Sequence, residues 1–191
     1  THHILFVNTP RDYYVQLAGT TGLKDKLTHA GIYGIDKSIK TLENFYEIDI
    51  IHYVRVNFNT VVKVVDVIGG IDINSDLAYK PRNDSRFINK GWNHFDGKLA
   101  LAYARERYAY TTGDHHRGAN QQQVMTAILE KLTNSTVLIS KYNSILNALD
   151  GTFQTDMSME EITSFIKYQL EKMPSWTIES FAVTGSGNMD Y

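Results

Sequence analysis

The sequence predicts an α/β domain in which a layered sheet is covered by helices on both faces. Three observations predict it. Short runs rich in β-branched and aromatic residues alternate with segments whose apolar residues recur at helical spacing, the pattern of strands alternating with helices. The 191 residues are 42% hydrophobic, enough for one domain with a substantial core. No Pro/Gly/Ser-rich linker and no internal repeat divides them, so residues 1–191 are expected to form a single domain.

Ile4-Leu5-Phe6-Val7 predicts a buried strand stopped by Asn8-Thr9-Pro10, and Tyr13 to Leu17 a second strand before a loop over Gly19 to Gly22. Helices are expected over Lys24 to Tyr33 and Asp36 to Tyr46; in the latter Ile39, Leu42, Phe45 and Tyr46 share one face. Ile50 to Val56 predicts a strand. Asn57 or Asn59 then caps a helix through Val61, Val62, Val64, Val65 and Ile68, ended by Gly69-Gly70. Ile71 to Ile73 reads as a short strand, and the polar segment Asn74 to Asn93 as a surface excursion. Asp96 caps a helix through Leu99 and Tyr103. Long helices follow from about His115 to Leu132, Val137 to Leu149 and Ser158 to Met173, the last with capping-box spacing between Ser158 and Glu161. Ile178 to Val183 closes the chain as a strand.

Composition excludes several functions. A net charge of −2 gives no general attraction to nucleic acid or anionic membrane, so any cationic site must be local. The absence of cysteine excludes disulfides, thiolate catalysis and cysteine-ligated zinc. No stretch reaches the roughly 18 apolar residues of a membrane span, and the opening Thr1-His2-His3 runs straight into a strand, as a cut or processed end would. Gly185-Ser186-Gly187 lacks the Lys-Ser/Thr of a phosphate loop and the pattern of a nucleophile elbow. His2-His3 and His115-His116 lack zinc-site spacing.

The informative residues are cations and amides where a core should be. In the helix after Asp114 the inward stripe runs back from Leu132, Ile128 and Val124 to Gln121 and Arg117, at an end whose free amides favour an anion. Arg105-Glu106-Arg107 can serve one site only if the preceding helix stops near Arg105, because residues two apart diverge on a helix. Arg11 follows a strand end, where α/β proteins place ligands, with Asp12 beside it to orient the guanidinium or a hydroxyl. Arg11, Arg105, Arg107 and Arg117 are four of seven arginines, and guanidinium forks suit phosphates because they donate two parallel bonds and never titrate away. Each also has an ordinary reading: Arg117 reaching solvent or Asp114, a solvated Arg-Glu-Arg run, and a turn-stabilising Arg11–Asp12 pair.

Taken together, the motifs resemble the LytR-CpsA-Psr family. Asn8-Thr9-Pro10-Arg11-Asp12 resembles its S/N-x-P-R-D box, and Val65-Asp66-Val67-Ile68-Gly69-Gly70-Ile71-Asp72 its V-D-x-x-G-G-V box. The segment from Asp96-Gly97 to Arg105-Glu106-Arg107 is similar to D-G-x-x-A-L-x-Y-x-R-x-R, and Gly113-Asp114, Arg117 and Gln121-Gln122 to G-D-x-x-R-x-x-R-Q. The resemblance implies an αβα fold with a central mixed sheet, and transfer of a capsule or teichoic-acid-like glycan from undecaprenyl pyrophosphate to peptidoglycan with Mg²⁺. It implies that Arg11, Arg105, Arg107, Arg117 and Gln121 hold the pyrophosphate, with Asp12, Lys26 and Asn120 as further substrate contacts. Phe58, Val61, Val62 and Val65 are candidates for the lipid pocket, although ordinary core is the plainer reading of each. Asn120 stands where the family carries an arginine. The family's metal-binding aspartates precede the P-R-D box, so the Mg²⁺ ligands and a membrane anchor are expected upstream of a chain truncated at its N-terminal end. Location on the extracellular face of the cell membrane is a further expectation. Alternative readings are a polyprenyl pyrophosphatase, a non-catalytic glycan- or lipid-binding module, and a transcriptional regulator. The charge balance and the lack of a helix-turn-helix pattern stand against the last.

Overall fold

The computed structural model describes residues 2–22, 24–110, 114–133 and 136–183. Strand β1 (His3–Asn8) pairs in parallel with the last strand, β8 (Thr177–Ala182), with Phe6 opposite Ser180. Strands β2 (Tyr14–Gln16) and β3 (Lys24–Lys26) pair antiparallel, as do β4 (Val54–Val56) with β7 (Phe153–Thr155), and β5 (Ile71–Ser75) with β6 (Gly91–Phe95). The pairing is mixed, as expected, but among the described residues it is distributed over four two-stranded ladders rather than one continuous sheet.

The expected helix over Lys24 to Tyr33 is corrected. Lys24–Lys26 is strand β3, because Leu27 N–H donates to the Tyr13 carbonyl and draws the segment alongside β2. The helix α1 is only Leu27–Ala30, followed by a 3-10 turn over Gly31–Tyr33. Helix α2 (Ile35–Tyr46) stops at Glu47 in the left-handed region. The strand expected from Ile50 is confined to Val54–Val56, since the Ile50 and Tyr53 amides donate to the Glu43 and Asp156 carboxylates instead of a neighbouring strand.

Local capping signals hold. Asn57 and Thr60 form a capping box on α3 (Phe58–Val67), Asp96 accepts from Leu99 N–H to start α4 (Gly97–Ala104), and Ser158 with Glu161 caps α8 (Met159–Lys172). The long α5 (Asp114–Thr133) follows α4, and the helix expected over 137–149 is split at Lys141 into α6 (Val137–Ser140) and α7 (Tyr142–Leu149). Gly97 lies so close to the Val62 backbone that any side chain would collide, which brings α3 and α4 into direct contact.

Val64, Val65, Ile68, Ile71, Ile73, Phe95, Leu99, Tyr103, Val124 and Ile128 form the main core, where α3, α4 and α5 meet the β5–β6 ladder. The segment expected as a surface excursion contributes to it: Tyr79 and Ile88 pair through a β-bridge and are buried there, and Pro81 is buried too. Its charged residues other than Asp84 are exposed, and they mask this inward face in the sequence. A smaller cluster of Val15, Leu17 and Ala30 joins β2 to α1 and α2. No helix among the described residues is long and apolar enough to cross a membrane.

Candidate functional site

Three elements converge: the end of β1, the end of α4 and the first half of α5. Gly118, in the second turn of α5, stands where a Cβ would overlap the Asn8 side-chain amide, so the helix lies directly on the end of β1. Gln122, one turn on, donates to the carbonyls of Phe6 and Phe181 and so holds α5 across both strands of the parallel ladder. Toward α4, Asn120 donates to the Tyr103 carbonyl at 3.1 Å and Gln121 to the Ala104 carbonyl at 3.3 Å. Arg117 precedes Gln121 by four residues and shares its face of the helix.

Helix α4 ends at Ala104, and Arg105 is its C-cap residue, with φ −102° and ψ −4°. The expected helix end is therefore where two arginines in Arg-Glu-Arg need it. The Arg105 guanidinium lies 4.6 Å from the centre of the Phe58 ring at the start of α3. Both residues are exposed, and Val62, four residues on from Phe58, shares that face and is half-buried. Arg107 is exposed and Arg117 half-buried.

The Arg11 segment forms a second group. After the turn closed by Tyr13 N–H to the Pro10 carbonyl, Arg11 carbonyl accepts from Thr28 N–H and fixes the backbone. Asp12 stands between two cations, 3.5 Å from the Arg11 guanidinium and 3.5 Å from the Lys26 ammonium, with all three side chains about half exposed. Such open pairs contribute little to stability and exchange partners readily.

Two of the candidate residues lie in the interior. Asn120 is fully buried, with its amide donated to Tyr103 and its Oδ1 without a hydrogen-bond partner, so it lies beneath the surface rather than on it. Val65 belongs wholly to the core. Gly113 and the Gly185-Ser186-Gly187 stretch lie outside the described residues.

Sequence reasoning missed Glu106. Its side chain turns inward to 3% exposure, and its carboxylate accepts the backbone N–H groups of Arg82 at 3.0 Å, Arg107 at 2.9 Å, Tyr108 at 2.7 Å and Ala109 at 3.2 Å. Burial alone would raise its pKa, but these bonds outweigh it and hold the carboxyl below the ordinary range. The one available signal was its place, directly after a helix end whose following amides need acceptors. Nearby, the His116 ring stacks on Tyr110, and burial lowers its pKa against a weaker opposing pull from Asp76.

The convergent surface thus offers fixed cations beside an exposed aromatic ring, suited to an anion that carries an apolar chain. A hollow at the end of α2 is lined by Lys40, Glu43, Asn44, Glu47, Ile48 and Asp49, three carboxylates against one ammonium, and repels a phosphate. Among the described residues no group of three or more His, Cys, Asp or Glu side chains is placed to hold a metal ion.

Comparison with known proteins identifies the family of the chain. The polyisoprenyl-teichoic acid–peptidoglycan teichoic acid transferase TagU of Bacillus cereus is 35% identical over 157 residues, 82% of this chain and 50% of that protein. The chain therefore spans about half the length of the curated relative it matches. The crystal structure of B. subtilis TagV superposes with a TM-score of 0.78 at 31% identity, covering 94% of this chain and 70% of that one. A structure of TagT bound to LIIa-WTA gives a TM-score of 0.80 at 25% identity, covering 97% and 69%. The LytR_cpsA_psr family model matches residues 1–191, and the chain belongs to that family.

Proposed function

We propose that the protein is a phosphotransferase that moves a glycan from a polyprenyl pyrophosphate carrier to peptidoglycan. The observation that carries this reading is Arg105 lying 4.6 Å over the exposed Phe58 ring. A cationic surface there meets an apolar one, as a pyrophosphate meets its polyprenyl chain. The relatives' names agree in substrate class, since TagU is named for polyisoprenyl-linked teichoic acid and peptidoglycan and a TagT structure holds LIIa-WTA.

On this reading Arg105, Arg107, Arg117, Arg11 and Gln121 bind the two phosphates, with Asp12 and Lys26 at the rim and Phe58 and Val62 along the first lipid units. The oxygen of a peptidoglycan sugar hydroxyl attacks the phosphorus bound to the glycan. The bond from that phosphorus to the bridging oxygen breaks, polyprenyl phosphate leaves with the electron pair, and the hydroxyl proton passes to solvent. The arginines bind the pyrophosphate in line for attack and neutralise the charge that grows on the bridging oxygen, which is most of what phosphoryl transfer asks of a protein. Mg²⁺, implied by the family resemblance, would add to that neutralisation. The described residues form no ligand set for it, and no step here depends on it. A site of action at the extracellular face of the cell membrane is part of the same proposal, because lipid-linked glycan and peptidoglycan meet there.

The test is incubation with a polyprenyl-pyrophosphate-linked glycan and uncross-linked peptidoglycan, followed by separation of the products. Glycan phosphate joined to peptidoglycan, with polyprenyl phosphate released, is the expected result. Soluble glycan phosphate would make the protein a pyrophosphatase, and tight lipid binding without turnover would make it a binding module.

A further inference from the structure

We propose that Glu106 is a positioning residue that shapes the arginine loop from beneath, holding the backbone from which Arg105 and Arg107 project. The inference rests on the reading that these arginines bind a pyrophosphate, and it adds a residue of opposite charge to that site.

A carboxylate between two arginines is ordinarily the worst neighbour for an anion site, because it competes with the ligand for both cations. Here the geometry removes the competition. The carboxylate is turned away from solvent, and one oxygen, Oε1, accepts the N–H groups of Arg107, Tyr108 and Ala109 in succession. That pattern wraps the backbone after α4 around a single acceptor, so the loop cannot extend the helix or straighten. The other oxygen, Oε2, accepts Arg82 N–H from the segment between β5 and β6. Arg82 also lies 4.7 Å over the ring of Tyr108, so that segment is tied to the loop twice, once through the carboxylate and once through the ring. Arg107 therefore leaves a backbone fixed by bonds to buried charge, which are stronger than neutral ones and localise the donors, while Arg105, one residue before Glu106, is held at the α4 C-cap by its N–H to the Leu101 carbonyl. Preset donors need little reordering when an anion arrives.

Positioning and charge competition predict opposite signs, which makes the inference testable. Glu106→Gln keeps the size and one acceptor oxygen, but its amide confronts an N–H group where an oxygen stood. It also makes the chain more positive by one charge. If the residue acts mainly by its charge, affinity for an anion rises. If it positions the loop, affinity falls despite the added positive charge.

The experiment is calorimetric titration of the whole chain with farnesyl pyrophosphate, together with amide hydrogen exchange at Arg107, Tyr108 and Ala109. Wild type is compared with Glu106→Gln, Glu106→Asp, Arg105→Ala and Arg117→Ala. Ile145→Val, a core substitution outside the site, reports what loss of stability alone does to affinity. The expected result is that Glu106→Gln binds about fivefold or more weakly and exchanges faster at the three amides, while Ile145→Val binds as wild type. Glu106→Asp retains charge but withdraws both oxygens by about 1.5 Å, one carbon–carbon bond, and is expected to bind weakly too. It serves in place of Glu106→Gln should that variant fail to fold. Unchanged or tighter binding by Glu106→Gln, with Arg105→Ala and Arg117→Ala weakened, overturns the positioning role and leaves the arginine site standing. A folded wild type that ignores farnesyl pyrophosphate, or arginine variants that bind as it does, overturns the site and the positioning role together.

Discussion

Around Arg11 the chain is anchored at its backbone and loose at its side chains, whereas around Arg105 and Arg107 a buried carboxylate anchors the whole loop from within. Arg11 shares a half-exposed Asp12 with Lys26 at 3.5 Å on either side. Glu106, at 3% exposure, gathers four backbone amides from two separate segments. The same residue type is thus presented in two ways, one adjustable and one preset. Arg11 must give up Asp12 before it meets a ligand, while Arg107 projects from a backbone that is already held in place. The two loops should therefore contribute unequally to affinity even though both carry a permanent charge.

The comparison breaks most directly at its preset half. Glu106→Ala leaves buried amides without their acceptor and should cost about 3 kcal/mol of stability, read as a fall in the urea midpoint. A loss under about 1 kcal/mol would mean that water replaces the carboxylate freely. Next in size, Arg105→Ala should weaken farnesyl pyrophosphate binding about tenfold or more, and Arg11→Ala by about threefold. Equal losses would erase the distinction between the loops.

A smaller effect is expected from acid. Asp84, bonded to Arg86 beside the α4 N-cap, has its pKa lowered from 3.8 to about 2, chiefly by that guanidinium. A depressed carboxylate contributes stability that is fully present above its unfolded pKa and is lost as pH falls through its folded one. Wild type should thus lose stability between about pH 4 and pH 2 more steeply than Asp84→Asn, measured by thermal melts across that window. Parallel pH dependence in the two proteins would remove the clasp as the cause. Smallest of all, Asp12→Asn should change stability by less than about 0.5 kcal/mol, as open pairs do, while slightly tightening pyrophosphate binding by releasing Arg11 and Lys26. A large destabilisation would show that the Arg11 loop is as firmly built as the other.

What could be read from the sequence follows the range of the interactions. Asn57, Asp96 and Ser158 were legible as helix starts because a cap needs only its own next turn. The end of α4 at Arg105 was legible from chemistry, since two arginines two residues apart cannot share a helix face. Strand β3 was not, because Lys24–Lys26 is polar and extends only by pairing with β2, whose position no local pattern gives. Tyr79, Pro81 and Ile88 were hidden among charges, and their burial depends on a core assembled by distant helices. Glu106 looked like part of a solvated charge run, since its amide partners include Arg82 across the β5–β6 connection. Asn120 had the spacing of a ligand contact, but tertiary packing against Tyr103 turned it inward.

The pairing of β1 with β8 joins His3 to Thr177, almost the whole described chain apart, and Gln122 bonds to a carbonyl of each strand. Contacts between such distant points close slowly, because a long loop must find its ends before any bond rewards it. During synthesis β1 is made well before β8, and this pairing waits until β8 follows. Leu5 and Val7, 60% and 43% exposed with β8 in place, are at least as open before β8 pairs. Closure of the β1–β8 ladder is therefore timed by β8, and a chain that stalls before β8 leaves β1 without this partner.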